Sequence, residues 1–179
     1  DERRTRITVD DSEIDVEDLI PEEEVAVLLT HSGYTKRMPL STYRSQRRGG
    51  RGMSGMGTKE DDFVEHLIIT SSHNYIMFFS NRGKVYRLKA YEVPEMGRAA
   101  RGTPIINLIQ IEQGEYIEAV IPVTNFDDED HYLFFATRQG VVKKTALIDY
   151  ANNRRGGLFA INLRDGDELI DVHLTDGNR

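Results

Sequence analysis

The sequence of 179 residues contains no cysteine, so neither a disulfide nor a thiolate metal site can hold the chain together. Long hydrophobic runs are also missing, because the longest, residues 75–79 and 132–136, are too short to cross a bilayer. The acidic N-terminus has no apolar stretch like that of a signal peptide. With 39% hydrophobic and 30% charged residues, the composition predicts a soluble globular protein of the cytoplasm that does not associate with a membrane.

Acidic residues are absent from residues 25–58, although the whole chain has a net charge of −7. That stretch holds six basic residues, whereas residues 1–24 hold eleven acids and three arginines. Two further stretches are basic. Residues 66–111 hold six basic residues and two acids, and residues 131–164 hold six basic residues and one acid. Because a ligand responds to the local field of a surface, the net charge does not exclude a nucleic-acid partner.

The composition changes near Pro21. Residues 1–20 are acidic and their scattered Ile, Val and Leu follow no sustained period, which predicts an extended linker. From residue 21 to residue 179 the chain shows short runs rich in β-branched and aromatic residues, separated by turns that contain glycine. We therefore place a domain boundary between residues 20 and 21.

Three repeats follow, at about residues 25–70, 75–122 and 132–175. Each begins with two strand-like runs around a glycine, and a short hairpin needs a residue at that place that accepts a positive φ. The turn glycines are Gly33, Gly83 and Gly140. Each repeat therefore opens with a predicted β-hairpin.

A further strand near the end of each repeat carries an acid, and these acids, Glu65, Glu118 and Asp171, lie 53 residues apart. A period near 50 that is built from short strands is typical of propellers. No segment shows convincing helical periodicity over ten or more residues. The sequence thus predicts an all-β fold, a propeller-like array of four-stranded blades, and three repeats are fewer than a closed propeller needs.

An arginine- and glycine-rich segment, residues 46–57, lies in the first repeat and contains three arginines and five glycines. Arginine offers planar donors that suit phosphate oxygens, and glycine lets backbone N–H groups approach a ligand closely. The segment lacks the GxxxxGK[ST] pattern of a mononucleotide loop. Composition alone leaves three interpretations open: a clamp for a nucleic-acid backbone, an RNA-binding low-complexity tail, or a flexible solvated loop.

The position of this segment favours a clamp. The second and third repeats carry arginines at the corresponding place, in Arg98-Ala-Ala-Arg-Gly and Arg154-Arg-Gly-Gly. The same rim of every blade is therefore predicted to be basic, and a continuous basic rim suits a long polyanion better than a small ligand.

The heptapeptide Gln46-Arg47-Arg48-Gly49-Gly50-Arg51-Gly52 matches the QRRGG[KR]G box of the DNA gyrase A family, a box that distinguishes this family from topoisomerase IV. The segments Glu17-Asp-Leu-Ile-Pro21 and Gly140-Val-Val-Lys-Lys144 also resemble the gyrase A sequences of Gram-positive-like bacteria. The resemblance covers essentially all of the chain.

This resemblance implies that residues 1–20 are the end of the breakage-reunion region and a linker. Residues 21–179 would then be part of a C-terminal β-pinwheel, a relative of the propeller, with about three of its six blades. In the family this domain bends duplex DNA around a basic rim, so that ATP-dependent strand passage introduces negative supercoils. The catalytic tyrosine lies upstream of this segment, so we expect no catalytic residue here and no activity of the segment alone.

The resemblance assigns DNA binding to Gln46, Arg47, Arg48, Gly49, Gly50, Arg51 and Gly52, with the three arginines as phosphate ligands. The alignment of the repeats adds basic residues that occupy similar places on the rim, and we expect about half of them to contact DNA. These are Lys36, Arg37, Arg82, Lys84, Arg87, Arg98, Arg101, Lys143, Lys144, Arg154 and Arg155.

The implied partners are double-stranded DNA, the gyrase B protein and a second copy of gyrase A in an A2B2 holoenzyme. ATP and Mg²⁺ would act in other parts of that enzyme, and we expect neither a cofactor nor a metal in this segment, whose histidines lack HxxxH and HExxH spacing. Two alternatives stay open: a propeller-like protein-interaction scaffold, or a C-terminal domain of the topoisomerase IV type. In the scaffold alternative, the acidic lead of residues 1–24 could itself bind the basic rim.

Overall fold

A computed structural model describes residues 16–49, 62–127, 130–152 and 157–176, and within residues 47–49 it describes the backbone only. Three antiparallel hairpins open the three repeats. Their strands are β1 (Glu24–Thr30) with β2 (Tyr34–Pro39), β4 (Tyr75–Ser80) with β5 (Lys84–Lys89), and β8 (His131–Thr137) with β9 (Val142–Ala146). The turn glycines Gly33, Gly83 and Gly140 have φ of 92°, 82° and 89°. The predicted hairpins and their requirement for a positive φ are confirmed.

A third strand pairs with the first strand of each hairpin. These strands, which carry the three acids with the 53-residue spacing, are β3 (Val64–Ser71), β7 (Ile117–Val123) and β11 (Leu169–Asp176). The third strand forms one edge of each sheet, because the sheet orders begin or end with it.

The opposite edge of a sheet is completed by the next repeat. The two-residue strand β6 (Thr103–Pro104) of the second repeat pairs with β2, and β10 (Leu158–Phe159) of the third repeat pairs with β5. The sheet orders are therefore β3-β1-β2-β6, β10-β5-β4-β7 and β11-β8-β9. Two blades have the predicted four strands, whereas the third has three among the described residues, and neighbouring repeats are interlocked by the exchanged strands.

One α-helix, α1 (Leu40–Gly49), follows β2 directly. The prediction that no helix of ten residues occurs is wrong, and residues 46–49 belong to this helix. Leu40 and Tyr43 are its only apolar side chains, too few to reveal the helix in the sequence, although Leu, Gln and Arg are good helix formers. Its Tyr43 packs against the small cluster of Ala26, Leu28 and Met38.

Two larger hydrophobic clusters fill the spaces between successive sheets. One joins the first and second sheets and includes Val27, Phe78 and Leu88, and the other joins the second and third and includes Phe79 and Phe135. Because the middle sheet is covered on both faces, five of the six residues of β4 are buried.

The acidic lead contacts the first two repeats where the structure describes it. Residues Val16–Leu19 form a 3-10 turn, and Glu17 lies 3.2 Å from the Lys89 ammonium. The His73 ring nitrogen Nε2 lies 2.8 Å from the Ile20 carbonyl oxygen. Residues 1–15, most of the predicted linker, lie outside the described residues. Among the described residues, no helix combines the length and hydrophobicity that membrane crossing requires.

The two turn glycines of the second and third repeats differ in their surroundings. A Cβ atom on Gly83 would lie 2.6 Å from the Ile161 carbonyl oxygen, whereas a Cβ on Gly140 would have no atom within 4 Å. Gly83 is crowded because the third repeat packs against its turn, where the Ala160 amide donates to the Gly83 carbonyl at 2.7 Å.

We expect Gly140→Ala to lower the free energy of unfolding by about 1–2 kcal/mol, the cost of a positive φ for a residue with a Cβ. Gly83→Ala should cost roughly 1–3 kcal/mol more, because the third repeat must also move away. Urea denaturation of both variants measures the difference. Equal losses would contradict the close contact between the second hairpin and residue 161.

A buried carboxylate, Asp62, holds the first hairpin turn. Its Oδ1 accepts hydrogen bonds from the Ser32 and Phe63 amides at 2.9 and 3.0 Å. Burial alone would raise the pKa of Asp62, but the hydrogen bonds from Ser32, Thr30 and Phe63 outweigh burial and lower the pKa.

Because the pKa of Asp62 is lower in the folded chain than in the unfolded chain, the carboxylate stabilises the fold at neutral pH. That contribution is lost as the pH falls through the folded value. Asp62→Asn should therefore be less stable at pH 7 and should lose less stability than the wild type on acidification. Urea denaturation over a pH series measures this, with the exposed Asp165→Asn as the control. Parallel pH profiles for wild type and Asp62→Asn would contradict the assignment.

Candidate nucleic-acid interface

The predicted box begins in the last turns of helix α1, which continues the strand β2 without a connecting loop. The Gln46 side chain is partly buried, and its Oε1 has no hydrogen-bond partner among the described residues. The backbone of Arg47, Arg48 and Gly49 is helical. The side chains of these residues, and all of Gly50, Arg51 and Gly52, lie outside the described part of the structure, so their contact with DNA stays a prediction.

Arg44 was missed by the sequence analysis. It is exposed on α1, three and four positions before Arg47 and Arg48. Residues at this spacing share one face of a helix, so the backbone places the three arginine positions side by side. The i, i+3, i+4 spacing of the three arginines was the available signal in the sequence.

Lys36, one of the candidates for the basic rim, is buried. Its side chain is 0% exposed, and its Nζ donates to the carbonyl oxygens of Gly97, Arg98 and Ala100 at 2.8, 3.2 and 2.9 Å. Burial lowers the pKa of Lys36 to about 8. A direct contact between this ammonium and DNA is therefore incompatible with the structure, because the second repeat covers it.

Arg37 also contacts the second repeat. Its guanidinium lies 3.1 Å from a carboxylate oxygen of Glu95, and only 16% of the Arg37 side chain is exposed. The main chains of the two repeats are also hydrogen-bonded here. The Arg37 amide donates to the Pro94 carbonyl at 3.0 Å, and the Met96 amide donates to the Arg37 carbonyl at 3.1 Å. Lys36 and Arg37 thus join two repeats.

The loop that these residues hold, residues 94–102, presents the arginines of the second repeat. Arg98 is exposed, and no carboxylate partner occurs for it among the described residues. The Arg101 guanidinium lies 3.8 Å from the centre of the Tyr34 ring, a cation–π contact that fixes its orientation. Arg98 and Arg101 are therefore placed beside strand β2 of the first repeat.

The junction between the second and third repeats uses Arg87 in the same way as Arg37. Its Nη1 donates to the Ala151 carbonyl at 2.7 Å, and its guanidinium lies 4.7 Å from the centre of the Tyr75 ring. Lys84 lies between two rings, 5.7 Å from the centre of Tyr86 and 5.6 Å from that of Phe159. Both residues are partly exposed and contact the third repeat.

The remaining predicted residues are more accessible. Arg82, at the second hairpin turn, is 2.9 Å from the Glu112 carboxylate, which offsets its charge. On β9, Lys143 and Lys144 are exposed; Lys143 Nζ donates to the Ala160 carbonyl at 3.3 Å, and Lys144 Nζ lies 4.4 Å from the centre of the Tyr132 ring. Arg154 and Arg155 lie outside the described residues.

Acidic residues occupy the other edge of the sheets. The edge strands β3, β7 and β11 carry Glu65, Glu118 and Asp171, at the edge opposite the one that receives an exchanged strand. Burial raises the pKa of Glu118, and the nearby charges of Glu65, Glu168 and Asp171 raise it further, against the opposing charge of Arg138. Carboxylates of all three repeats therefore lie close together on the edge strands β3, β7 and β11.

Three interlocked antiparallel sheets, each of the first two completed from the following repeat, define the chain as a β-pinwheel, a propeller-type array. A family model, the DNA gyrase C-terminal domain, beta-propeller, matches residues 24–71, 74–124 and 131–176. The chain belongs to this family.

Two curated relatives support the family at the level of sequence. The DNA gyrase A protein of Halalkalibacterium halodurans is 62% identical over 179 residues, which is all of this chain and 21% of the relative. The DNA gyrase A protein of Clostridium acetobutylicum is 53% identical over 178 residues, 99% of this chain and 21% of the relative. The chain therefore spans about one fifth of the length of these relatives.

Solved structures are similar as well. The C-terminal domain of a DNA topoisomerase IV superposes with a TM-score of 0.73 at 33% identity, over 88% of this chain and 47% of that one. A DNA gyrase A C-terminal domain gives a TM-score of 0.63 at 22% identity, over 86% of this chain and 48% of that one. At that identity the second likeness concerns the fold alone.

Some basic residues join two repeats, as Arg37 does, and others are exposed, as Arg98 is. The free energy of unfolding of variants can test this division. Arg37→Ala should lower the free energy of unfolding by about 1 kcal/mol, because it removes a partly buried ion pair and the packing of the side-chain stem. The matched variant Arg98→Ala should change it by less than about 0.5 kcal/mol. Urea denaturation in the absence of DNA measures both. A larger loss for Arg98→Ala would contradict the division.

Proposed function

We propose that this chain is a DNA-binding and DNA-wrapping module of a gyrase A protein. It bends duplex DNA along a basic surface so that ATP-dependent strand passage by the whole enzyme introduces negative supercoils. Membership of the family and the relatives named as DNA gyrase A proteins support the proposal. The box at residues 46–52 supports gyrase over topoisomerase IV.

The observation that carries the proposal is the attachment of two arginine segments to one strand. Helix α1, where the box begins, continues β2, and the loop of residues 94–102 is bonded to the same strand. Arginine-bearing segments of neighbouring repeats are thus attached to the same strand. Arginine donors without base contacts suit a continuous phosphate backbone and little sequence specificity.

The energetics require several such contacts. Bending a duplex site by 40–90° costs on the order of 1–6 kcal/mol, and each phosphate that a cation neutralises releases counterions. Affinity should then fall with salt at a slope of about −0.9 per contact. A row of cations on successive repeats supplies enough contacts to offset the bending, whereas a single exposed arginine does not.

The remaining parts of the reaction are assigned to other parts of the enzyme. We propose that the chain works within an A2B2 assembly, with the gyrase B protein and a second copy of gyrase A, in the cytoplasm. ATP and Mg²⁺ are used outside this segment, and DNA cleavage is carried out by residues that precede it. The segment itself contributes DNA geometry and has no catalytic activity alone.

Replacing Arg47, Arg48 and Arg51 by alanine in the full-length protein should abolish supercoiling and leave ATP-dependent relaxation intact, because the wrap no longer closes. A gel assay of plasmid topology measures both activities. The control Arg138→Ala with Arg164→Ala removes exposed cations outside the predicted interface, and it should supercoil normally. Normal supercoiling by the box variant would refute the proposal.

The structural likeness to a topoisomerase IV domain favours a second candidate, a DNA-binding domain of that type. It predicts relaxation or decatenation without supercoiling in the full-length wild-type enzyme, which the same plasmid assay detects. Duplex affinity of the chain, measured across salt concentrations, tests the scaffold alternative. A weak response without a salt slope would favour a protein partner over DNA.

A further inference from the structure

Lys36 lies at the junction of the first and second repeats, and the equivalent junction of the second and third repeats has no charged side chain at this position. The hairpins align at their turn glycines, so Tyr86 is the residue of the second repeat at the place of Lys36. Tyr86 is also buried, and its hydroxyl donates to both carboxylate oxygens of Glu115, within its own repeat, at 2.9 Å. A tyrosine therefore suffices at this junction, although burying an ammonium is unfavourable.

The hydrogen bonds of Lys36 converge on the middle of the loop of residues 94–102, which carries Arg98 and Arg101. Main-chain bonds attach the beginning of the loop at Pro94 and Met96, and β6 attaches its end. Between them, the three carbonyl oxygens that Lys36 binds belong to residues 97, 98 and 100. An ammonium has three N–H donors, and each meets one carbonyl, so the turn that carries Arg98 is fixed by this one side chain.

Lys36 also determines the face of the sheet on which the loop lies. Side chains alternate along a strand, so Lys36 shares a face of β2 with Met38. The same face carries the cluster of Met38 and Leu28 against which Tyr43 of α1 packs. The loop with Arg98 and the helix that begins the box therefore lie on one face of the first sheet.

We propose that Lys36 is a positioning residue. It holds the loop of residues 94–102, which carries Arg98 and Arg101, at a fixed position relative to helix α1, where the box begins. It acts through Arg98 and Arg101 and does not touch DNA itself. This inference rests on the proposed function, since the fixed position matters only if one phosphate backbone runs across both segments.

The test uses the purified chain and a duplex of about 40 base pairs of mixed sequence. Lys36→Met removes the ammonium and keeps the stem, and Lys36→Tyr introduces the residue found at the second junction. The control Lys89→Met removes an equal charge at another partly buried lysine, one that contacts Glu17 and has no predicted DNA contact. Urea denaturation verifies that each variant is folded.

A positioning role predicts that Lys36→Met weakens binding and makes the salt slope less steep by about 1.8, the loss of two phosphate contacts. Lys36→Tyr should do the same while remaining folded, and Lys89→Met should leave the slope unchanged. Combining Lys36→Met with Arg98→Ala and Arg101→Ala should give no further loss, because all three changes remove the same contacts. Unchanged binding by Lys36→Met would overturn the inference. So would a slope change near 0.9, the loss of one contact, that adds in full to the slope change of the Arg98→Ala and Arg101→Ala variants.

Hydrogen exchange without DNA separates this inference from the proposed function. In Lys36→Met and Lys36→Tyr, amides of residues 97–102 should exchange at least tenfold faster, while those of the β4–β5 hairpin keep their rates. If the wild-type chain binds no duplex, the proposed function fails, whereas the exchange data still decide whether Lys36 holds the loop. Unchanged exchange of residues 97–102 would overturn the positioning role whatever the DNA result.

Discussion

The pairing of β2 with β6, a strand of only two residues, determines where the arginine segments lie. To reach β2, residues 94–102 must run closely against the first repeat. A Cβ atom on Gly102 would lie 2.8 Å from the Thr35 carbonyl oxygen, so only glycine allows this approach. The exchange places the loop with Arg98 beside the strand that continues into α1. A basic surface across two repeats is therefore a consequence of the interlock, and it depends on backbone contact before any side chain is considered.

The interlock also explains why basic residues predicted for the same rim have different roles. Lys36 is covered by the next repeat, whereas Arg98 is exposed. Sequence alternation could not reveal this difference, because burial here comes from a segment about 60 residues further along the chain. A charged side chain in a strand usually indicates a solvated face, and that rule fails where the backbone carbonyls of another repeat replace water.

Local patterns were sufficient for the hairpins and the three sheets. A glycine between two β-branched runs determines a hairpin by itself, as at Gly83, and the two-sided burial of β4 follows from its apolar run. The helix α1 and the exchanged strands were not predictable in the same way. Helix α1 has only two apolar side chains, those of Leu40 and Tyr43, and a strand such as Thr103–Pro104 is too short to show any period. The helix depends on packing against β1 and β2, and each exchanged strand depends on pairing with the preceding repeat.

The net charge of −7 is compatible with a DNA-binding surface because the sheet order separates the charges in space. The acids Glu65 and Glu118 lie on edge strands, and the loop with Arg98 adjoins the opposite edge of the first sheet. Four strands put roughly 14 Å between the two edges of a sheet, which exceeds the Debye length of about 8 Å at physiological salt. The carboxylates are therefore largely screened from a duplex at the basic edge. The alternation of acidic and basic blocks along the sequence thus places Glu65 and Arg98 at opposite edges of the first sheet.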